Sequence, residues 1–480
     1  MFSKEIYTAR RKRLVELMSA AAPQGKRGIA LFVGNAEAAA QYKDNPYKFR
    51  QDSSWLYYFG LDEPLMAAVL DLDSGQEQLF ADDVSLDDII WMGPQKSVAE
   101  KAARAGVASS ASYGTLNVVV TKALAQGRTI HFLPPSRHYN ARKLAALTGL
   151  EQEAVSKVAP AAENGGRNAS LELVKAVVAM RLVKEEVEIK ELDAAADLGR
   201  KMHDTARSLV RPGIVEQAIV GAMEGVALAE GWGVSFPTIL TQHGETLHNH
   251  IHDKVIEPGK LLVIDAGVES NTHYASDFTR TLPTGGKFTP MQKDIYQIVC
   301  DCNELAFRKT APGVSYRDVH LAAARLMLED LRSLDLVRGN IDNMLSEGIA
   351  GLFQPHGLGH NMGLDVHDME DLGEDYVGYD EDQQRSTRPG LASLRMARRL
   401  VPGNVVTDEP GIYFIPALID RWQAEGRDKG YVNYHRLEMF RDFGGIRLED
   451  DVLVTAEGAR RLGSGRLPIQ IADVEAAMGA

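Results

Sequence analysis

Asp265, Asp277, His360, Glu409 and Glu449 each sit in an apolar, strand-like or turn-like stretch of the C-terminal half of this chain. A carboxylate placed there is costly unless something cationic compensates it. A fold that keeps four acids and one imidazole in such contexts must bring them to a shared positive charge. The set is hard and rich in oxygen, the kind that holds two divalent ions as a bridged pair, and it suits manganese better than a thiolate zinc site does. The composition implies a dinuclear metal centre of the hydrolytic type.

The local patterns support this. Leu261-Leu262-Val263-Ile264 runs into Asp265-Ala266-Gly267 and reads as a buried strand. Tyr274-Ala275-Ser276-Asp277 follows a polar stretch, Ser270-Asn271-Thr272, which reads as a hairpin turn. A hairpin symmetric about Asn271 sets Asp265 opposite Asp277, with Cβ atoms roughly 4.5–5.5 Å apart. Like charges repel there, and a metal ion turns the repulsion into chelation. A turn-capping aspartate with a solvated partner would leave the same pattern. Further on, His356, His360 and His367 lie among Gly357, Gly359 and Gly363, which predicts an irregular loop rather than a helix. One imidazole there can bind metal while another moves a proton. Glu409 and Glu449 are both flanked by apolar strand residues, and Arg447 shares strand parity with Glu449, so both project to one face. Taken singly, that last pair also fits a surface ion pair on an edge strand.

The ordered set VIDAG, YASDFTRT, PHGLGHNMGLDVHD, DEPGIY and GIRLEDD resembles the pita-bread metallopeptidases, in the branch of Xaa-Pro aminopeptidase (aminopeptidase P) and prolidase. The N-terminal stretch Tyr47 to Gly60 is similar to the aminopeptidase P signature, as is the context of Trp91 in Ile90-Trp91-Met92-Gly93. The resemblance implies an α/β (α+β) chain: a pita-bread catalytic domain behind a smaller α/β, creatinase-like domain. It also implies roles. Asp265 would chelate one metal, Asp277 and Glu449 would bridge two, and His360 and Glu409 would complete the second. A hydroxide between the ions would attack the bond before proline, with Glu409 as base. His367 and His248 would position substrate and stabilise the tetrahedral intermediate, and Arg447 belongs with them as a catalytic position. His356 and Tyr413 would line the substrate pocket. Two divalent ions are expected, manganese first, with zinc or cobalt as alternatives. The partners are peptides with proline second, and copies of the chain itself in a homodimer or homotetramer.

Three features depart from the pattern. One extra residue separates Asp265 from Asp277, so a bulge is expected to set their register. Asp408 precedes Glu409 where an apolar residue is usual. Segments 369–398 and 416–443 read as insertions, expected at the surface or between subunits. The helical pattern from Leu182 to Val210 stops at Pro212-Gly213 and follows a polar linker at 163–168. The boundary is therefore expected near residue 175, giving domains 1–175 and 176–480. A net charge of −13 argues against broad binding to nucleic acid or membrane surfaces. Neither a signal peptide nor a membrane span is expected, and Cys300 and Cys302, two apart on a helix, are not expected to pair. A cytoplasmic location fits.

Within the family the alternative is a prolidase confined to dipeptides. A catalytically silent module of the same fold that binds peptides or protein partners, or an amidinohydrolase like creatinase, fits less well because all five ligand positions are present.

Overall fold

The computed structural model describes residues 1–20 and 27–479. Helix and strand are mixed throughout, as the α/β reading requires, and the chain groups into two units. One holds Met1–Arg181 with Met369–Tyr376, the other Leu182–Asp368 with Val377–Ala480. The expected boundary at 175 falls inside the helix Leu171–Arg181, and the division by contacts comes at that helix's end.

Among the described residues, the first unit is built on a seven-stranded mixed sheet. Its central strand, Ile29–Val33, pairs antiparallel with Ala67–Asp71 and parallel with Ile130–Phe132. Leu116, Val120, Leu144 and Leu147 pack helices onto this sheet. The signature near Trp55 forms a short buried helix, Ser53–Phe59, capped by the Asp52 carboxylate. Trp91 lies on the helix Leu86–Met92 and is 84 % exposed.

In the second unit the run Leu261–Ile264 is wholly buried, which is why it takes a central position. The strand Leu261–Ala266 is flanked by Ile239–Thr241 and Phe278–Pro283, both antiparallel. A second antiparallel sheet contains Val405–Asp408, Asp450–Val454 and Ala459–Arg461, and Gly411–Tyr413 pairs with Gly445–Arg447. A bridge between Thr279 and Glu449 joins the two systems. The unit also holds two long helix pairs, Glu186–Leu209 with Glu216–Glu230 and Pro290–Lys309 with Tyr316–Ser333.

The first helix of this unit begins four residues after Leu182, because Glu185 and Glu188 form a reciprocal cap that fixes its start. Its buried positions 188, 192, 195, 199, 202 and 206 trace one helical face. Each helix pair turns at a Pro-Gly, where Gly213 and Gly313 adopt φ of 88° and 81°. Only a residue without Cβ enters that region freely, so the two turns are alike in chemistry as well as sequence. Cys300 and Cys302 are buried and free on the third helix.

Candidate active site

Asp265 lies opposite Thr279, not Asp277. The pairs Ala266↔Phe278 and Glu269↔Ala275 are both centred on Thr272, so the hairpin turns one residue later than its sequence suggested, and no bulge intervenes. His273, with φ of 73°, accommodates the turn. A shift of pairing by two residues preserves parity, so Asp265 and Asp277 still project to the same face, as diagonal neighbours.

Thr279, which the sequence reading missed, occupies the place between them. Its hydroxyl donates to Glu449 Oε2 at 2.6 Å and accepts from Arg447 Nε at 3.2 Å, while its carbonyl accepts from the Glu449 N–H at 3.0 Å. Arg447 also donates to Tyr413 Oη at 2.8 Å and to Asp265 Oδ2 at 2.5 Å. Arg447 and Glu449 do share a face, and both are buried, which excludes an exposed edge-strand ion pair.

The glycine-rich segment is an irregular loop, as its composition predicted, and it runs beside Val405–Asp408. His360 and Thr407 exchange hydrogen bonds, and the Glu409 N–H donates to the Leu358 carbonyl at 2.8 Å. His360 and His367 stack with ring centroids 3.8 Å apart. His356 donates from Nδ1 to the Gly357 carbonyl, which leaves Nε2 to accept from the Tyr413 hydroxyl at 2.9 Å. Tyr413 in turn accepts from Arg447, so the three side chains fix one another's proton positions.

These groups line a cavity of about 460 Å³. Its polar lining residues include Asp265, Asp277, His248, His356, His360, His367, Glu409, Arg447 and Glu449, and its apolar ones Phe236, Pro237, Ile239, Leu247, Pro355 and Val366. Tyr413 is fully buried behind His356. His250, absent from the sequence reading, lies beside His248, and Arg395 and Ser393 enter from the segment expected to be surface or intersubunit structure. Its apolar residues Leu391, Leu394 and Ala397, three apart, pack into a small core and were the available signal that it folds inward. Asp408 does not line the cavity. It is buried near Asp450, Arg461 and Arg466, and burial pushes its carboxyl well above the usual range.

The donor set fits cations. Among the described residues, ligand atoms of Asp277, His360 and Glu449 lie within 4.8 Å of one another. Burial holds His360 neutral, well below its ordinary pKa, and its Nδ1 donates to the Asn361 carbonyl at 3.3 Å. The Nε2 lone pair then faces Asp277 Oδ2 at 3.4 Å, and once that carboxyl is ionised the two are acceptors aimed at each other. Burial, then the charges of Glu449 and Asp265, drives the Asp277 carboxyl well above its usual range; burial, then Glu409 and Asp265, does the same to Glu449. Asp265 Oδ1 and Asp277 Oδ1 are buried without a hydrogen-bond partner. Such convergence without a cation is repulsive, and with one it becomes a ligand shell. The carbonyl behind His360 orients the imidazole as metal-binding histidines require.

A buried acid–imidazole cluster in a cavity that also has apolar lining residues defines a metal-dependent hydrolase. Residues 190–456 match the model of metallopeptidase family M24, and residues 7–131 match that of the aminopeptidase P N-terminal domain. The chain belongs to metallopeptidase family M24. It is 30 % identical to a human Xaa-Pro dipeptidase over 98 % of its own length and 93 % of that protein's. It is 31 % identical to a probable Xaa-Pro aminopeptidase of Aspergillus fumigatus, over 90 % and 89 % of the two chains. Aminopeptidase P from E. coli, solved with the inhibitor Pro-Leu, superposes with a TM-score of 0.78 at 26 % identity, covering 100 % of this chain and 99 % of the other.

Proposed function

We propose that this enzyme releases the N-terminal residue from peptides with proline at the second position. The observation that carries the reading is the convergence of Asp277, His360 and Glu449 in a cavity that is also lined by Phe236, Pro237, Ile239, Leu247, Pro355 and Val366. Asp265, Asp277, His360, Glu409 and Glu449 would hold two divalent ions. When bound, the ions, manganese first by the hardness of the donors, supply Lewis acidity and acidify a water.

The chain's own groups do the rest. Glu409, half-buried at the cavity, takes a proton from the attacking water and passes it toward the departing nitrogen. That nitrogen belongs to proline, which has no amide hydrogen, so the apolar lining residues recognise a ring rather than an N–H donor. His248 and His367 orient the scissile carbonyl from the open side. Burial and the nearby Arg447 push the His356 pKa down to about 3, so it stays neutral and holds Tyr413 in place. Residues to about 175 serve as the N-terminal domain and 176–480 as the catalytic one. No helix among the described residues is long and apolar enough to cross a membrane. A cytoplasmic homodimer or homotetramer completes the reading.

The test is product analysis by mass spectrometry on an Xaa-Pro-Yaa tripeptide with manganese, beside the Xaa-Pro dipeptide. Release of the free first residue from the tripeptide is expected. Cleavage of the dipeptide alone would overturn the aminopeptidase reading.

Arg395 favours the second reading, a prolidase. Its charge reaches His248 and His360 at the cavity. A dipeptide carries its carboxylate on the proline itself, next to the scissile bond, within range of such a guanidinium, whereas a longer peptide carries it elsewhere. A charged hydrogen bond contributes about 1.5–3 kcal/mol. Arg395→Gln should therefore lower kcat/KM for the dipeptide about 10- to 100-fold and leave the tripeptide nearly unchanged. Equal losses on both substrates would remove carboxylate recognition from this residue.

A further inference from the structure

Lys184 and Asp368 form an ion pair at 3.0 Å with both side chains 1 % exposed, and neither lines the cavity. Replacing such a pair by apolar residues is often neutral or stabilising, because the cost of desolvating two charges offsets their attraction. Its contribution here is better sought in geometry, and three connections supply one.

The first runs through Asp368. Its N–H donates to the Asn361 carbonyl at 2.9 Å, the Asn361 amide donates back to the Asp368 carbonyl at 3.4 Å, and its Oδ1 accepts from the Asp365 N–H at 3.3 Å. The loop from 361 to 368 is thereby clasped at its ends. His360 immediately precedes one end and His367 the other, and those two rings stack. The second runs through Gly363, which packs directly on the pair. A Cβ there would lie 2.4 Å from Asp368 Oδ2 and 2.9 Å from Lys184 Nζ. The Gly363 carbonyl accepts from the Ala275 N–H at 2.9 Å, two residues before Asp277. The third is the backbone of Lys184, whose N–H donates to the Gly403 carbonyl at 2.8 Å. Gly403 lies in the turn before the strand Val405–Asp408, which Glu409 directly follows.

We propose that Lys184 is a positioning residue for the metal centre: through Asp368 it holds the His360–His367 stack, the Asp277 hairpin and the approach to Glu409 in one arrangement. The proposal rests on the reading of Asp277, His360 and Glu409 as metal ligands. Groups that orient ligands from behind typically change metal affinity or activity by about 10–100-fold.

The experiment compares Lys184→Met, Lys184→Arg and the double variant Lys184→Met/Asp368→Leu with the parent and with Asp277→Asn. Manganese affinity is read by titration calorimetry, unfolding by calorimetry of the metal-free proteins, and kcat and KM on an Xaa-Pro peptide. Lys184→Met removes the cation beside a buried carboxylate, so it is expected to lower both stability and manganese affinity. The double variant removes both charges. It should recover the metal-free unfolding temperature while its manganese affinity stays about 10-fold or more below the parent and kcat falls more than KM changes. Lys184→Arg should retain most of the affinity. Recovery of parental manganese affinity and kcat in the double variant would overturn the proposal and leave the pair a structural contact. If instead the parent binds no manganese, or Asp277→Asn binds it as well as the parent, the ligand reading has failed, and that pattern cannot be confused with the other.

Discussion

Glu409→Gln is expected to give a folded protein whose kcat is lower by about 10²–10⁴-fold, the range associated with a positioned acid–base group. Glutamine keeps the size and shape of the side chain but cannot accept the proton of an attacking water, and it is a poor ligand for a hard cation. The backbone should not respond, because the Glu409 N–H is held by the Leu358 carbonyl whatever the side chain is. The metal-free protein gives a sharper reading. Among neighbouring charges, Glu409 is the largest influence raising the Glu449 carboxyl, so neutralising it relieves repulsion inside the cluster. Metal-free Glu409→Gln should therefore unfold no earlier than the metal-free parent, even as turnover collapses. Calorimetry and steady-state kinetics on the same preparations check both halves. Near-normal turnover would sink the assignment of Glu409 as ligand and base.

The five positions that open the chemistry were legible because burial makes a charged residue conspicuous in an apolar run: Asp265 at the end of Leu261–Ile264 stands out whatever the fold around it. Parity was legible for the same reason, since a period of two survives an error of two. The pairing itself was not. Whether Asp265 meets Asp277 or Thr279 depends on a turn at Thr272 and on His273 taking a left-handed backbone, which composition alone does not dictate. Thr279 escaped notice because threonine is an ordinary strand residue; its importance comes from Arg447 and Glu449, which lie some 170 residues away in sequence and arrive only with the second sheet. Arg395 was hidden differently. An arginine in a charged, irregular segment reads as solvated, and only the packing of Leu391, Leu394 and Ala397 turns that segment toward the cavity. Local physics thus picked out the buried acids and the imidazole that line the cavity, and long-range packing supplied the residues around them.

Removing the metal should abolish turnover and also change how stability depends on pH. Without a cation, Asp277 and Glu449 titrate well above the ordinary carboxylate range, burial being the first cause and the charge of neighbouring carboxylates the next, Glu449 for Asp277 and Glu409 for Glu449. In the unfolded chain they return to about 3.9 and 4.3. Between those values and the raised ones the folded protein binds more protons than the unfolded one, so stability falls as pH rises, by about 1.4 kcal/mol per pH unit for each proton retained, and levels off once the folded-state groups ionise. Cations require the carboxylates deprotonated, so binding releases those protons and strengthens with pH. The buried histidines act in the opposite sense: His203 and His320 are pushed down to about 4, so stability falls when pH drops below about 6.5, where the unfolded imidazoles take up protons. They do so equally with and without metal, so the difference between the two forms isolates the carboxylates. Metal at a hundred times its Kd adds about 2.7 kcal/mol. The gap in unfolding temperature between manganese-loaded and chelated protein should therefore widen from about pH 5.5 to about pH 8. Scanning calorimetry of both forms across that range measures it. A gap that stayed constant or narrowed would mean that the cluster is not held together against its own charge, and the cation would have to be sought elsewhere in the cavity.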